Sequence, residues 1–463
     1  MIYCTGNCSS CGRCDNGLLM TEVNRRKKED SAYPADFHPD QGAPGFGVAV
    51  DIGTTTVVGI LWDLNAGEKL GSAARTNPQS RHGMDVITRI SYCSRDKEKI
   101  REMRQLITSC INEILRELCS DFGIDPGAIR RVTVCGNTTM SHLFAGYDPM
   151  SLALAPFRPA YEGPLFLKAE ESGLSIRPDA QVILFPNIAG HVGGDVTAGI
   201  LAARLMDKKK LTAYIDIGTN GEIVLTDGKR ICVCSTAAGS AFEGASILCG
   251  MRAADGAIEK ILIKDGDVFF RTISGKAAQG ICGSGIIDAV AQMLDAGLVN
   301  RKGRMASAKD IESKGLDPEF RNRLYERNGE RCFVVAFRDG QGEIVVTQND
   351  IRQIQLAKAA VAAGLALMLE EMGYSVEEID ELIVAGAFGC YIDKKSAVRI
   401  GLLPNIELSR IHVLGNAAGA GVSMALMSQK EWETVLGIPK KAEHIELENK
   451  SSFQDVYIRR MAF

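Results

Sequence analysis

The chain has 463 residues, with 53 Lys and Arg against 57 Asp and Glu and a formal net charge of −4. That length holds two or three domains, and that charge argues against a general nucleic-acid binder. Apolar residues at 46% allow sizeable cores, and 48 glycines beside 6% aromatics favour a glycine-turned α/β enzyme over a β-sandwich module.

The first residues are polar and cysteine-rich, unlike a signal peptide. Cys4, Cys8, Cys11 and Cys14 crowd four thiols into one short loop, tight enough to wrap a single metal centre. Structural zinc usually spreads its ligands into two distant pairs. Small Gly and Ser residues between close thiols suit an iron–sulfur cluster, whose sulfides need backbone N–H groups nearby. Residues 1–21 therefore read as a [4Fe–4S] cap. Zinc or no stable metal are the alternatives, and Cys11 is a bystander if a ligand comes from elsewhere. Fourteen cysteines in all point to a reducing, cytoplasmic compartment and to metal rather than disulfides. Residues 22–46 carry a basic run, Arg25 to Lys28, then Pro34, Pro39 and Pro44, with no packing period. They read as a flexible tether or as a strap on the surface.

Residues 47–56, GVAVDIGTTT, drive an apolar run into Asp51, Ile52 and Gly53, then Thr54 to Thr56, before a second apolar run to Leu61. This is strand, tight turn, strand. The turn offers N–H groups and hydroxyls that can hold a phosphate, and the carboxylate beside it can hold magnesium. Residues 213–223, AYIDIGTNGEI, repeat the pattern with Asp216, Gly218, Thr219 and Asn220. Two copies in separate halves point to two related subdomains facing one nucleotide.

Between and beyond the copies come further signals. NPQSRHGMDVITRI (77–90) is turn-rich, with His82 as readily a loop residue as a functional one. Residues 98–119 place Ile100, Met103, Ile107, Ile111, Ile114 and Leu118 on one helical face. A strand at 132–135 enters GNTTM, and 147–180 is proline-rich and irregular. Asp195 opens an apolar helix after Gly193 and Gly194, where it can serve metal or water, or simply cap the helix. Gly283, Ser284 and Gly285 begin another helix, an anion- or ribose-accepting start. Residues 300–345 read as an insertion, about 350–373 as a buried helix with an Ala-rich face, and strands at 381–385 and 411–415 end in glycine turns. No apolar run approaches the roughly 20 residues that span a bilayer, so no membrane partner is expected.

The order DIGTTT (51–56), DIGTNGE (216–222), GAFG (386–389) and GNAAGAG (415–421) resembles the actin, sugar-kinase and heat-shock-ATPase superfamily. More narrowly, NPQSRHGMDVITRISY (77–92), GNTTMSHLFAG (136–146), STAAGSAFEGA (235–245) and GICGSGIIDAV (280–290) resemble the ATP-dependent reductive activators of corrinoid proteins. The resemblance covers about residues 47–430. It implies a duplicated actin-like, ribonuclease-H-like α/β fold: a first subdomain over 47–210, a second over 211–430, and a C-terminal extension over 431–463. It implies ATP and Mg2+, with Asp51, Gly53, Thr54 and Thr55 in the first phosphate loop and Asp216, Gly218, Thr219 and Asn220 in the second. Asp195 joins Asp51 and Asp216 as a catalytic acid, contributing to magnesium or water. Gly283, Ser284 and Gly285, with Gly386, Ala387, Phe388 and Gly389, border adenosine.

The function so implied is transfer of a low-potential electron to cob(II)alamin, regenerating cob(I)alamin for methyl transfer. The partners are the corrinoid protein of a methyltransferase system and a low-potential electron donor, and the assembly is a homodimer. Such activators often begin with a whole plant-type ferredoxin domain, which about 20 residues cannot build. An activator of a 2-hydroxyacyl-CoA dehydratase remains a second reading. A non-redox ATPase or small-molecule kinase with a structural zinc cap is the third.

Overall fold

The computed structural model describes residues 32–338, 342–386, 392–447 and 450–463. Cys4, Cys8, Cys11 and Cys14, like Ala387, Phe388 and Gly389, lie outside the described residues. Strands β1 (Phe46–Ile52), β2 (Thr56–Asp63) and β3 (Glu68–Thr76) form an antiparallel meander. β4 (Ile129–Gly136), β5 (Leu165–Lys168) and β6 (Gln181–Leu184) extend it to six strands in the order β3-β2-β1-β4-β6-β5. A second meander follows in β7 (Thr212–Ile217), β8 (Gly221–Thr226) and β9 (Ile231–Thr236). Two three-stranded sheets interrupt the chain: β10 (Ala257–Lys264), β11 (Asp267–Thr272) and β12 (Gly280–Ile281), then β13 (Leu324–Arg327), β14 (Glu330–Arg338) and β15 (Gly342–Thr347). β16 (Glu381–Ala385), β17 (Ile411–Gly415) and β18 (Ala442–His444) complete the second large sheet, ordered β17-β16-β7-β8-β9-β18.

The two large sheets repeat one plan. In each, the first meander strand pairs in parallel with a later strand, β1 with β4 and β7 with β16. Both first strands are largely apolar up to their Asp because both of their faces are covered. Alternation then sorts the side chains. Val48, Val50 and Ile52 face the outer core of the first half, while Ala49 belongs to the core between the sheets. Ala213, Ile215 and Ile217 face the outer core of the second half, and Tyr214 faces between. The same period turns Asp51 and Asp216 toward each other's sheet.

Helices close the layers. α1 (Lys97–Phe122) starts at Asp96, whose carboxylate accepts from the N–H groups of Glu98 and Lys99, and ends at Gly123 in the left-handed region. Its apolar face seats on the outer side of the first sheet. α2 (Thr138–Ala145) follows β4. α3 (Gly194–Ala202) lies between the two sheets. In the second half come α4 (Gly283–Asp295) and α5 (Gln348–Met372). Among the described residues α5 alone is long and apolar enough to cross a membrane, and 72% of its apolar window is buried against protein. Its small residues allow that approach: a Cβ at Gly364 would stand 2.6 Å from Thr236 and 2.8 Å from Ile223. α6 (Ala417–Met427) packs beside α3 in the middle layer, and α7 (Gln429–Lys441) continues from it.

Of the two forms open to residues 22–46, the described part, 32–45, lies as a strap on the body. Tyr33 and Phe37 stack on one another and stand edge-on to Trp62 at 5.8 and 6.4 Å. Asp36 pairs with Arg204 at 3.2 Å, and the Asp40 N–H donates to the Met427 carbonyl at 2.7 Å. Residues 431–463 are part of the second half: β18 is its edge strand, and α8 (Phe453–Arg460) packs on α5.

Candidate functional site

Between the halves lies a cleft of about 590 Å³. Asp51, Asp195 and Asp216 line its floor. Asp51 and Asp216 are each the penultimate residue of a first meander strand, so each carboxylate emerges where the strand turns. Asp195 sits in the first turn of α3, but the cap position is Gly193, so the helix-cap alternative does not hold. One Asp195 oxygen accepts from the Val196 N–H at 2.8 Å.

The turn after Asp51 is tied down from behind. Asn77 donates its side-chain amide to the Gly53 carbonyl at 2.9 Å, and its own N–H to the Thr55 carbonyl at 2.9 Å. The guanidinium of Arg89, buried among Gln79, Met140 and Gly83, donates to the Thr54 carbonyl at 2.6 Å. With the carbonyls of Gly53 to Thr55 engaged, the loop can present N–H groups and hydroxyls to an anion. Asn137, which caps α2, also donates to the Thr54 hydroxyl at 2.9 Å. Here the turn-rich stretch at 77–90 has its purpose: it builds the underside of the loop, with His82 off to one side pairing with Glu102 at 3.0 Å.

The second loop faces the first. The Thr55 and Thr219 hydroxyls are 3.5 Å apart across the halves. Gly386 closes over the second loop with φ at +101°, and a Cβ there would meet the Ile217 carbonyl at 2.5 Å and an Asp216 oxygen at 2.8 Å. Gly283 and Ser284 bring the N-terminus of α4 to the wall of the cleft, with no side chain capping it. Gly285 is turned away: its Cβ would strike the Ile258 carbonyl at 2.1 Å, so its role is packing of α4 on β10.

Crowded acids shape the electrostatics. Lost hydration, then the charge of Asp216, pushes Asp51 up to about 7, against the pull of Asn416 and Cys135. Asp195 is likewise raised to about 7, by lost hydration and then by Asp51 and Asp216, while the Val196 N–H pulls it down. Asp216 rises to about 6, also through lost hydration, with the Tyr214 hydroxyl donating to it at 2.9 Å. Glu222, opposite Asp216 in the β7–β8 register, is pushed well above the carboxylate range by burial and by Asp195 and Asp216. So many acids near neutrality are a site built for a cation or for proton transfer.

Of the residues expected from the sequence, Asp51, Gly53, Thr54, Thr55, Asp195, Asp216, Gly218, Thr219, Asn220, Gly283, Ser284 and Gly386 meet in this cleft. Glu222, Asn416 and Arg252 join them without having been singled out. Glu222 stands inside the DIGTNGE stretch and was open to the same argument as Asp216. Arg252 had no signal, because its partners lie in the other half.

Residues 46–209 match the RACo middle region, and residues 210–463 match the C-terminal domain of RACo, the ASKHA domain. The corrinoid activation enzyme RamQ of Eubacterium limosum is 38% identical over 433 residues, covering 92% of this chain and 72% of its own length. A methylated amine-specific corrinoid protein Co(II) reductase of Methanosarcina barkeri is 24% identical, over 90% of this chain and 77% of its own. A solved structure, a reductive activator for corrinoid, iron-sulfur protein, superposes with a TM-score of 0.84 at 37% identity, covering 91% of this chain. This chain spans 66% of that protein's length, just under two thirds. The chain belongs to the RACo family of reductive corrinoid activators, within the ASKHA ATPase superfamily.

Proposed function

We propose that this chain hydrolyses ATP in the cleft to drive reductive activation of a corrinoid protein, passing a low-potential electron to cob(II)alamin. The observation that carries the reading is the pair of like loops, with Thr55 and Thr219 hydroxyls 3.5 Å apart above three acids. The first- and second-loop residues Gly53 to Thr55 and Gly218 to Asn220 hold the phosphates. The α4 start at Gly283 and Ser284, with Gly386 to Gly389, borders adenosine.

The acids fit magnesium, a hard cation that keeps several waters and takes few protein oxygens. Among the described residues no three His, Cys, Asp or Glu side chains converge closely enough to cage a metal alone. Asp51, Asp195 and Asp216 would hold it, largely through water, and it would offset the phosphate charge. Asp195 is assigned to water, either polarising the attacking one or holding the metal through one. Cys4, Cys8, Cys11 and Cys14 are assigned to a [4Fe–4S] cluster, which supplies the electron when bound. The protein works as a homodimer in the reducing cytoplasm, with a methyltransferase's corrinoid protein as partner.

The test mixes the protein anaerobically with candidate corrinoid proteins and a strong reductant. Expected are ATP-dependent loss of the cob(II)alamin absorption and faster phosphate release when the partner is added. Equal reduction with and without ATP, for every partner that is reduced, overturns the proposal.

A further inference from the structure

Glu243 ends a short turn, Ser240–Glu243, after β9 in the second half. Its two oxygens span the cleft. One accepts from the Thr55 hydroxyl of the first half at 2.5 Å, the other from the Thr219 hydroxyl at 2.9 Å. Farther along the same segment, Arg252 donates to the Thr55 carbonyl at 3.1 Å and to the Thr76 hydroxyl. One stretch of the second half thus grips Thr55 by its side chain and by its backbone.

The two hydroxyls that Glu243 occupies are the ones assigned above to phosphate. A carboxylate and a phosphate oxygen are both anionic acceptors, so they compete for these donors and repel each other. We infer that Glu243 is the residue by which the cleft tells nucleoside triphosphate from diphosphate. It bridges the loops while no terminal phosphate is present, and that phosphate displaces it. Arg252 then remains as the cationic cross-cleft group. This inference rests on the nucleotide reading of the cleft.

The test compares wild type with Glu243→Gln and Glu243→Ala. Affinities for Mg-ATP and Mg-ADP are read by displacement of a fluorescent nucleotide, with the thermal midpoint as a fold control. Glutamine keeps the shape and one acceptor, so the fold is retained even if alanine loosens the segment. Both variants are expected to bind ATP about tenfold tighter, equivalent to about 1.4 kcal/mol, with ADP affinity unchanged. If wild type binds neither nucleotide, the cleft reading and this inference fall together. If wild type binds both, and the Gln variant shifts both equally or weakens ATP, Glu243 is a plain ligand or base. Only the discrimination is then lost.

Discussion

Asp51 and Asp195, at about 7, and Asp216, at about 6, hold protons in the folded, metal-free chain that an unfolded Asp, near 3.9, has already released. Between about pH 4 and about pH 7 the native state therefore binds more protons than the unfolded one, and stability falls as pH rises. His142 works in the opposite sense. Burial lowers it to about 4, so folding gains from rising pH between there and about 6.5. The difference between wild type and Asp51→Asn isolates the carboxylate. With EDTA present, Asp51→Asn is expected to flatten the fall in thermal midpoint between about pH 5.5 and about pH 8 and to raise the midpoint at the upper end. It is also expected to lose stabilisation by Mg-ATP. Scanning calorimetry checks both, and a wild-type midpoint that gains more than the variant's with rising pH would show the acids to be ion-paired instead. At this scale the sequence was informative where a motif named the residue, as for Asp51 and Asp216. It was silent on Arg252, whose partners Thr55 and Thr76 are set by how the halves face each other.

Elements with a clear period were legible: the two hairpins, α1, and α5 with its Ala-rich face. The choice between tether and strap for 32–45, and the place of the closing segment at 431–463, were not, because these are fixed by single contacts such as Tyr33 on Trp62, not by a repeating pattern. The middle layer is held by Gly421, which closes the GNAAGAG stretch but whose packing role the motif does not state. A Cβ at Gly421 of α6 would stand 1.9 Å from the Ala198 carbonyl of α3, backbone that cannot swing aside. Both helices deliver cleft groups from their first turns, Asp195 on α3 and Asn416 at the cap of α6. Gly421→Ala is therefore expected to destabilise by about 1–3 kcal/mol, as overpacked cores do, and to weaken nucleotide binding. Gly437 in α7 meets nothing within 4 Å, so Gly437→Ala gains about 0.5–1 kcal/mol from helix propensity and leaves binding alone. Urea melts of the two variants should move in opposite directions. A Gly421→Ala variant as stable as wild type or more so would show that the α3–α6 contact relaxes at little cost.

For the whole molecule, the question is how the cysteine segment and the cleft relate. The strap crosses the middle layer away from the cleft floor. Asp40 is bonded to Met427 and Gln429, at the far end of α6 from the cleft residues Asn416 and Ala418. The strap into which the cysteine segment leads is thus joined to the body at a point separate from the nucleotide loops. Two modules so joined should fail separately. Changing Cys4, Cys8, Cys11 and Cys14 together to Ser is expected to abolish reductive activation while leaving ATP affinity and basal phosphate release intact. Asp216→Asn should lose hydrolysis while keeping the iron–sulfur cluster and a folded chain. Protein purified anaerobically should carry about four irons and four sulfides per chain, with a broad absorption that reductant bleaches. Stoichiometric zinc without iron, in protein made with iron in excess, would remove the electron carrier from this chain. The ATPase body would then act as a conformational switch under a structural zinc cap, with the electron arriving from another protein.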